Sequence, residues 1–261
     1  TPDTAGDGKH FYTADSLFNL AQVGMEQMGA SLLEGESLAL DHPAYRRVWQ
    51  AVFEPAVRGG YAIYDGYSSD LSKTGEIVCS TGSTAGILFY GDQITYPDNT
   101  TEQVEYTVLP FPTFEGGKKI AIQRGNGLVV ARSTPEKEQA AVLFLKWFTQ
   151  PEQNMRFVAS TGYLPVTKAA FENSMDQEIA TNENVNIQKL LRTAVQVYSE
   201  YEFYIPPVFD SFNALRSSYE ADFLTAGGAA REEYCALLET TEPDAAYEAA
   251  VQGRFEAFTG R

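Results

Sequence analysis

Tyr163 lies in the run Thr161-Gly162-Tyr163-Leu164-Pro165. Gly162 supplies a positive-φ helix stop and Pro165 forbids immediate continuation, so the ring between them rides on a stiff turn. Such a turn can present an aromatic face to a ligand; the plainer alternative is a ring packed on its own helix. The turn Ser80-Thr81-Gly82-Ser83-Thr84 offers the hydroxyls of Ser80, Thr81 and Ser83 as donors. Turns of this composition often satisfy themselves, and that alternative stands beside the binding one. Arg216 carries a planar guanidinium suited to bidentate recognition of phosphate. Glu220, four residues on, offers it the simpler role of a helical ion pair.

Other chemistries find little support. Cys79 and Cys235 belong to no C-x-x-C pair, and His10 and His42 lack metal-ligand spacing, so neither metal nor cofactor is expected. The two thiols are expected buried and free, with a disulfide left open. No G-x-S-x-G elbow or P-loop is present, and no pair of carboxylates is marked out by a motif for glycoside hydrolysis. Lys plus Arg number 19 against 35 Asp plus Glu, a net charge of −16. Nucleic acid and anionic membrane surfaces are therefore poor partners. No apolar run approaches the ~20 residues that span a bilayer. With 15 Tyr and 16 Phe, most rings are expected in an aromatic core, leaving a minority to line a cleft.

The elements that carry these residues follow from period and punctuation. Residues 1–10 read as a disordered lead-in. Leu17, Leu20, Val23 and Met28 give a helical face over 16–28, with Asp15 or Ser16 as cap. Pro43 to Arg58 is a helix closed by Gly59-Gly60. Ile77-Val78-Cys79 is a strand leading into the hydroxyl turn and a short helix or turn over 85–90. A polar loop with Pro97, Asp98 and Asn99 follows. Residues 106–109 form a short strand, and two strand-like runs flank Gly125-Asn126-Gly127. Ser133-Thr134-Pro135-Glu136 starts a helix, Pro151 another, and a third follows Pro165. Further helices are expected over 186–200, 210–224, 231–238 and 245–258. Short strands among many helices make the class α/β.

The run FLKWFTQPEQNMRFVASTGYLPVTKAAF, ending at Phe171, resembles the signature region of bacterial extracellular solute-binding proteins, the ligand-capturing subunits of ABC importers for sugars and glycerol phosphates. The blocks GEIVCSTGSTAGILFY, VEYTVLPFPTFEGGKK and IAIQRGNGLVVARST extend the resemblance to about residues 8–260. It implies a periplasmic-binding-protein-like fold of type II, with two lobes and several crossings between them. By that pattern residues 1–122 begin the second lobe. Residues 123–167 are a crossing and a helical excursion belonging to the first, and 168–261 return to the second. The opening of the first lobe and an export signal are expected ahead of Thr1, which would leave the apolar face of 139–160 partly uncovered. The implied partners are a small-molecule ligand, a sugar or glycerol phosphate, and the importer's permease subunits. The implied location is extracytoplasmic, lipid-anchored at the cell membrane or periplasmic.

Carried over residue by residue, the resemblance makes Tyr163 a ligand contact and places Gly125 and Asn126 at the interlobe crossing beside the ligand. Gly125 there offers a backbone N–H or serves only as a hinge. Ser80, Thr81 and Ser83 become donors, and Asp15 and Ser16 reach the cleft from the second lobe. Arg216 falls where glycerol-phosphate binders hold phosphate. The function implied is carbohydrate capture by hinge closure. The alternatives are a glycerol 3-phosphate or glycerophosphodiester binder, a glycoside-acting enzyme, and a protein-interaction domain built on the acidic helical surface.

Overall fold

The computed structural model describes residues 8–260. The expected lead-in at 1–10 falls outside the described residues up to residue 7, and His10 already opens a strand. In chain order the elements are β1 (His10–Ala14), α1 (Leu17–Gln27), β2 (Leu33–Glu34), β3 (Ser37–Leu38), α2 (Pro43–Arg58), α3 (Ser68–Lys73) and β4 (Ile77–Thr81). A 3-10 helix (Thr84–Phe89), β5 (Gln93–Thr95), β6 (Thr101–Gln103) and β7 (Ile120–Ile122) follow. Then come α4 (Pro135–Phe148), α5 (Pro151–Thr161), α6 (Lys168–Thr181), α7 (Val185–Glu200), β8 (Glu202–Tyr204), α8 (Phe212–Leu237), α9 (Pro243–Val251) and α10 (Arg254–Thr259).

The strands that matter are parallel. β1 pairs with β4, His10 opposite Ile77 and Ala14 opposite Thr81, and a further parallel bridge joins Tyr12 to Tyr61. β7 pairs with β8, Ile120 opposite Glu202 and Ile122 opposite Tyr204. β2–β3 and β5–β6 are antiparallel hairpins, and Asn99 takes the left-handed conformation (φ 64°) in the second turn. The polar loop expected there thus becomes a hairpin whose turn residues are the anticipated ones.

One apolar core gathers α1, α2, α8, α9 and α10. Trp49 stacks on Phe53 at 4.1 Å and meets Phe223 edge-on at 5.3 Å, with Phe258 tilted beside it at 4.7 Å. The hydroxyls of Tyr45 and Tyr219 bond each other at 3.0 Å within this core. A second cluster joins α5, α6 and α7 through Met155, Val158, Ala170, Met175, Ile179, Ile187 and Leu191. It spans the expected boundary between 167 and 168.

Several local expectations are corrected. The two helices expected at 210–224 and 231–238 are one, α8, which runs through Gly227 and Gly228. Each glycine costs ~1 kcal/mol in a helix interior. Burying Phe223, Ala230 and Tyr234 in the first core more than offsets this. The helix expected over 245–258 is instead broken at Gly253 (φ 72°), which turns α10 so that Phe258 enters the core. No strand forms at 106–109, because side chains of α7 take its carbonyls: Lys189 donates to Tyr106 and Thr193 to Val108. Residues 128–130 form no strand either. Cys79 and Cys235 are free, as expected, but exposed, since both fall on outward faces. Among the described residues no helix is long and apolar enough to cross a membrane. On α4, Leu143, Phe144 and Trp147 stand about half exposed.

Candidate functional site

Parallel α/β arrangements place ligands at the carboxyl ends of their strands, where the connecting loops gather. Here those loops are 15–16 after β1, 63–67 after the Tyr61 bridge, 82–83 after β4, and 123–127 after β7. Side chains of α1 reach two of the strand ends. Arg124 donates to Asn19 Oδ1 at 3.2 Å, bringing the β7 exit to α1, and Gln22 donates to the Tyr204 hydroxyl at 3.2 Å, bringing in the end of β8.

The start of α1 follows from Ser16. Its Oγ accepts from the Asn19 N–H at 3.2 Å, capping the helix as expected. Glu220 of α8 accepts from the Ser16 hydroxyl at 2.7 Å and from the Phe18 N–H at 3.0 Å. A carboxylate at a helix N-terminus is favoured by both hydrogen bonding and the helix dipole. The sequence offered Glu220 to Arg216 as a helical ion pair, the plainer alternative to phosphate recognition. No such pair forms, and Arg216 Nε is buried without a hydrogen-bond partner. Gln22 Oε1 is the other buried side-chain polar atom without a partner among the described residues.

Asp15 caps nothing in α1. Its Oδ1 accepts from the Ser68 N–H at 2.8 Å, at the start of α3. Gly82 lies opposite, where a Cβ would force the Asp15 carboxylate to shift. The hydroxyl turn is internally bonded: Ser80 Oγ lies 2.8 Å from the Tyr90 hydroxyl, which also meets Ser68 Oγ at 2.7 Å. Thr81 Oγ1 bonds the Tyr12 hydroxyl at 2.6 Å, and burial pushes that phenol well above its ordinary pKa. Ser83 caps the 3-10 helix through Ala85 N–H at 3.3 Å.

Tyr163 and Asn126, expected from separate motifs, meet: the Asn126 amide donates to the Tyr163 hydroxyl at 2.9 Å. Gly162 ends α5 at φ 71°, and its Cα packs so tightly on the 3-10 helix that a Cβ would stand 2.8 Å from the Thr84 carbonyl oxygen. This places Tyr163 beside the hydroxyl turn. Gly125 is exposed, with nothing near the position of a Cβ. The structure therefore joins Tyr163 to Asn126, and holds Asp15, Ser80 and Thr81 around the ends of β1 and β4. Ser16 meets α8 through Glu220, and Arg216 stands one helical turn before Glu220 on α8. Sequence reasoning missed Tyr90, Ser68 and Tyr12, which organise this end. Nothing local marks them, because each partner lies ten or more residues away. Among the described residues no group of His, Cys, Asp or Glu is placed to hold a metal ion. A surface groove of about 310 Å³ lies beside Leu215 and Phe258, and one of about 410 Å³ runs from Tyr90 past Glu105 and Lys189.

Solved structures share this fold. The cyclic alpha-maltosyl-1,6-maltose binding protein from Arthrobacter globiformis superposes with TM-score 0.62 at 16% identity, covering 98% of this chain and 61% of that one. UgpB from Mycobacterium tuberculosis in complex with glycerophosphocholine gives TM-score 0.62 at 19% identity, covering 98% and 58%. Maltose-bound T. maritima MalE3 gives 0.56 at 15%, covering 98% and 62%. The chain thus spans about three-fifths of the length of the structures it resembles. No curated protein matches it by sequence. The profile of one family, described as bacterial extracellular solute-binding protein, matches residues 7–186, more than half of the chain. The chain belongs to the bacterial extracellular solute-binding protein family.

Proposed function

We propose that this chain forms much of the substrate-binding subunit of an ABC importer that captures a carbohydrate outside the cytoplasm and releases it to the permease subunits. The observation that carries the reading is family membership over residues 7–186. The similar folds that bind maltose, cyclic maltosyl-maltose or glycerophosphocholine support it. Asp15, Ser80, Thr81, Ser83, Gly125, Asn126 and Tyr163 border the ligand, and Ser16 and Arg216 flank it from the α1–α8 contact. The crossing at 123–127 serves as the hinge, and closure around the ligand makes the form the permease recognises. Binding, orientation and release suffice; the site performs no covalent step. The chain is held outside the cytoplasm by a lipid anchor or retained in the periplasm.

Arg216 favours a second reading. Its buried Nε without a partner suits an anionic group, as in a glycerol phosphate or glycerophosphodiester. A thermal-shift screen separates the two, using mono- and oligosaccharides against glycerol 3-phosphate and glycerophosphocholine. A ligand at a hundred times its Kd stabilises by ~2.7 kcal/mol. A shift with saccharides alone supports the first reading and a shift with phosphate esters alone the second. No shift with any of them in folded protein refutes both.

A further inference from the structure

Tyr67 stands where no sequence motif pointed. It precedes α3 in the loop that follows the Tyr61 bridge, at the same strand end as Asp15. Tyr67 is 71% exposed, and its ring makes no hydrogen bond or ring contact among the described residues. Nor does it cap α3, which starts without a side-chain cap. The ring therefore performs no visible structural task. Its neighbour Ser68 is nonetheless tightly held: the N–H by Asp15 Oδ1 at 2.8 Å, and the hydroxyl by Tyr90 at 2.7 Å. The backbone that carries the ring is thus fixed although the ring is free.

The same bond orients Asp15. Oδ1 is held by Ser68, while Oδ2 carries no hydrogen bond and faces Gly82, whose missing side chain leaves it room. Tyr64, 39% exposed, lies across Gly66 in the same loop, where a Cβ would collide with its ring. A positioned carboxylate oxygen accepts hydroxyl protons, and an exposed phenol ring offers an apolar face with a polar edge. Together these recognise a neutral polyhydroxylated ring, which has hydroxyls on its rim and C–H bonds on its faces. A phosphate would meet the Asp15 carboxylate with like charge.

We propose that Tyr67 is a ligand-contact residue that stacks on the ring of a neutral saccharide whose hydroxyl is held by Asp15. This rests on the carbohydrate reading above and deepens it by naming the ligand class and its platform. Calorimetric titration of the wild-type chain, Tyr67→Ala and Tyr67→Phe with maltose, maltotriose and glycerophosphocholine tests it. Circular dichroism confirms that each variant folds. The expected result is saccharide binding by the wild type, weakened about tenfold in Tyr67→Ala and within about threefold of wild type in Tyr67→Phe, since Phe keeps the stacking face. Equal saccharide affinity in wild type and Tyr67→Ala overturns the assignment of Tyr67 while leaving the carbohydrate reading intact. Binding of glycerophosphocholine in place of both saccharides overturns the ligand class. Binding of none of the three defeats the carbohydrate reading, and this proposal with it.

Discussion

Replacing Glu220 by Ala removes one carboxylate that serves two donors on another helix. The Phe18 N–H, the second N–H of α1, loses its acceptor at 3.0 Å, and the Ser16 hydroxyl loses its acceptor at 2.7 Å. An N–H stripped of its partner in a partly buried place costs ~1–3 kcal/mol. Loss of negative charge at the helix start costs a further ~0.3–1 kcal/mol. Water reaches the half-buried Glu220 position and returns part of this, so a net loss of ~2 kcal/mol is expected. In urea unfolding at neutral pH, with a slope of ~2 kcal/mol per molar, the midpoint should fall by ~1 M. Ser16→Ala should cost ~1 kcal/mol by itself. Because the two residues share a bond, the double variant should lose less than the sum, by ~0.5 kcal/mol or more. A midpoint for Glu220→Ala within ~0.2 M of wild type would show that the carboxylate does not hold α1.

Two glycines should respond oppositely to alanine. Gly162→Ala forces a Cβ into a left-handed residue 2.8 Å from the Thr84 carbonyl, and should lower stability by ~2 kcal/mol or more. Gly227→Ala adds a Cβ at an ordinary 3.4 Å from Ile63 inside α8, and should raise stability by up to ~1 kcal/mol. Thermal unfolding of both reads the contrast, and equal shifts would contradict it. Tyr45→Phe breaks the buried bond to the Tyr219 hydroxyl and should cost ~1–2 kcal/mol, checked in the same unfolding assay. Burial raises the phenols of Tyr12, Tyr45, Tyr61 and Tyr219 above the ordinary value near 10. Above pH ~10 the unfolded chain loses these protons while the folded chain keeps them. Stability from these groups is therefore complete below that pH and falls as pH rises further. A urea midpoint that stayed level from pH 9 to 11.5 would refute the assignment.

How far the sequence could be read depended on the range of the interactions involved. Helix starts were legible because caps act within a few residues. Thr134-Pro135 opens α4 at the marked place, α6 follows Pro165 as expected, and Pro43 and Gly59 bound α2. The merging of 210–224 with 231–238 was not legible. The two glycines argue locally for a break, and only the core against Phe223, Ala230 and Tyr234 overrides them. The absent strand at 106–109 has the same origin, since its carbonyls are claimed by Lys189 and Thr193, over eighty residues away.

By itself the sequence determined the family, the α/β class, most helix boundaries and the turn that carries Tyr163. All of these rest on residue type and short spacing. Tertiary structure alone decided which chemical groups remain available. It joined Asn126 to Tyr163 and gave Ser80 and Thr81 to Tyr90 and Tyr12. It moved Glu220 from Arg216 to the start of α1 and left the ring of Tyr67 in the open. A hydrogen bond forms with whatever stands within about 3 Å, and packing between distant segments determines that neighbour.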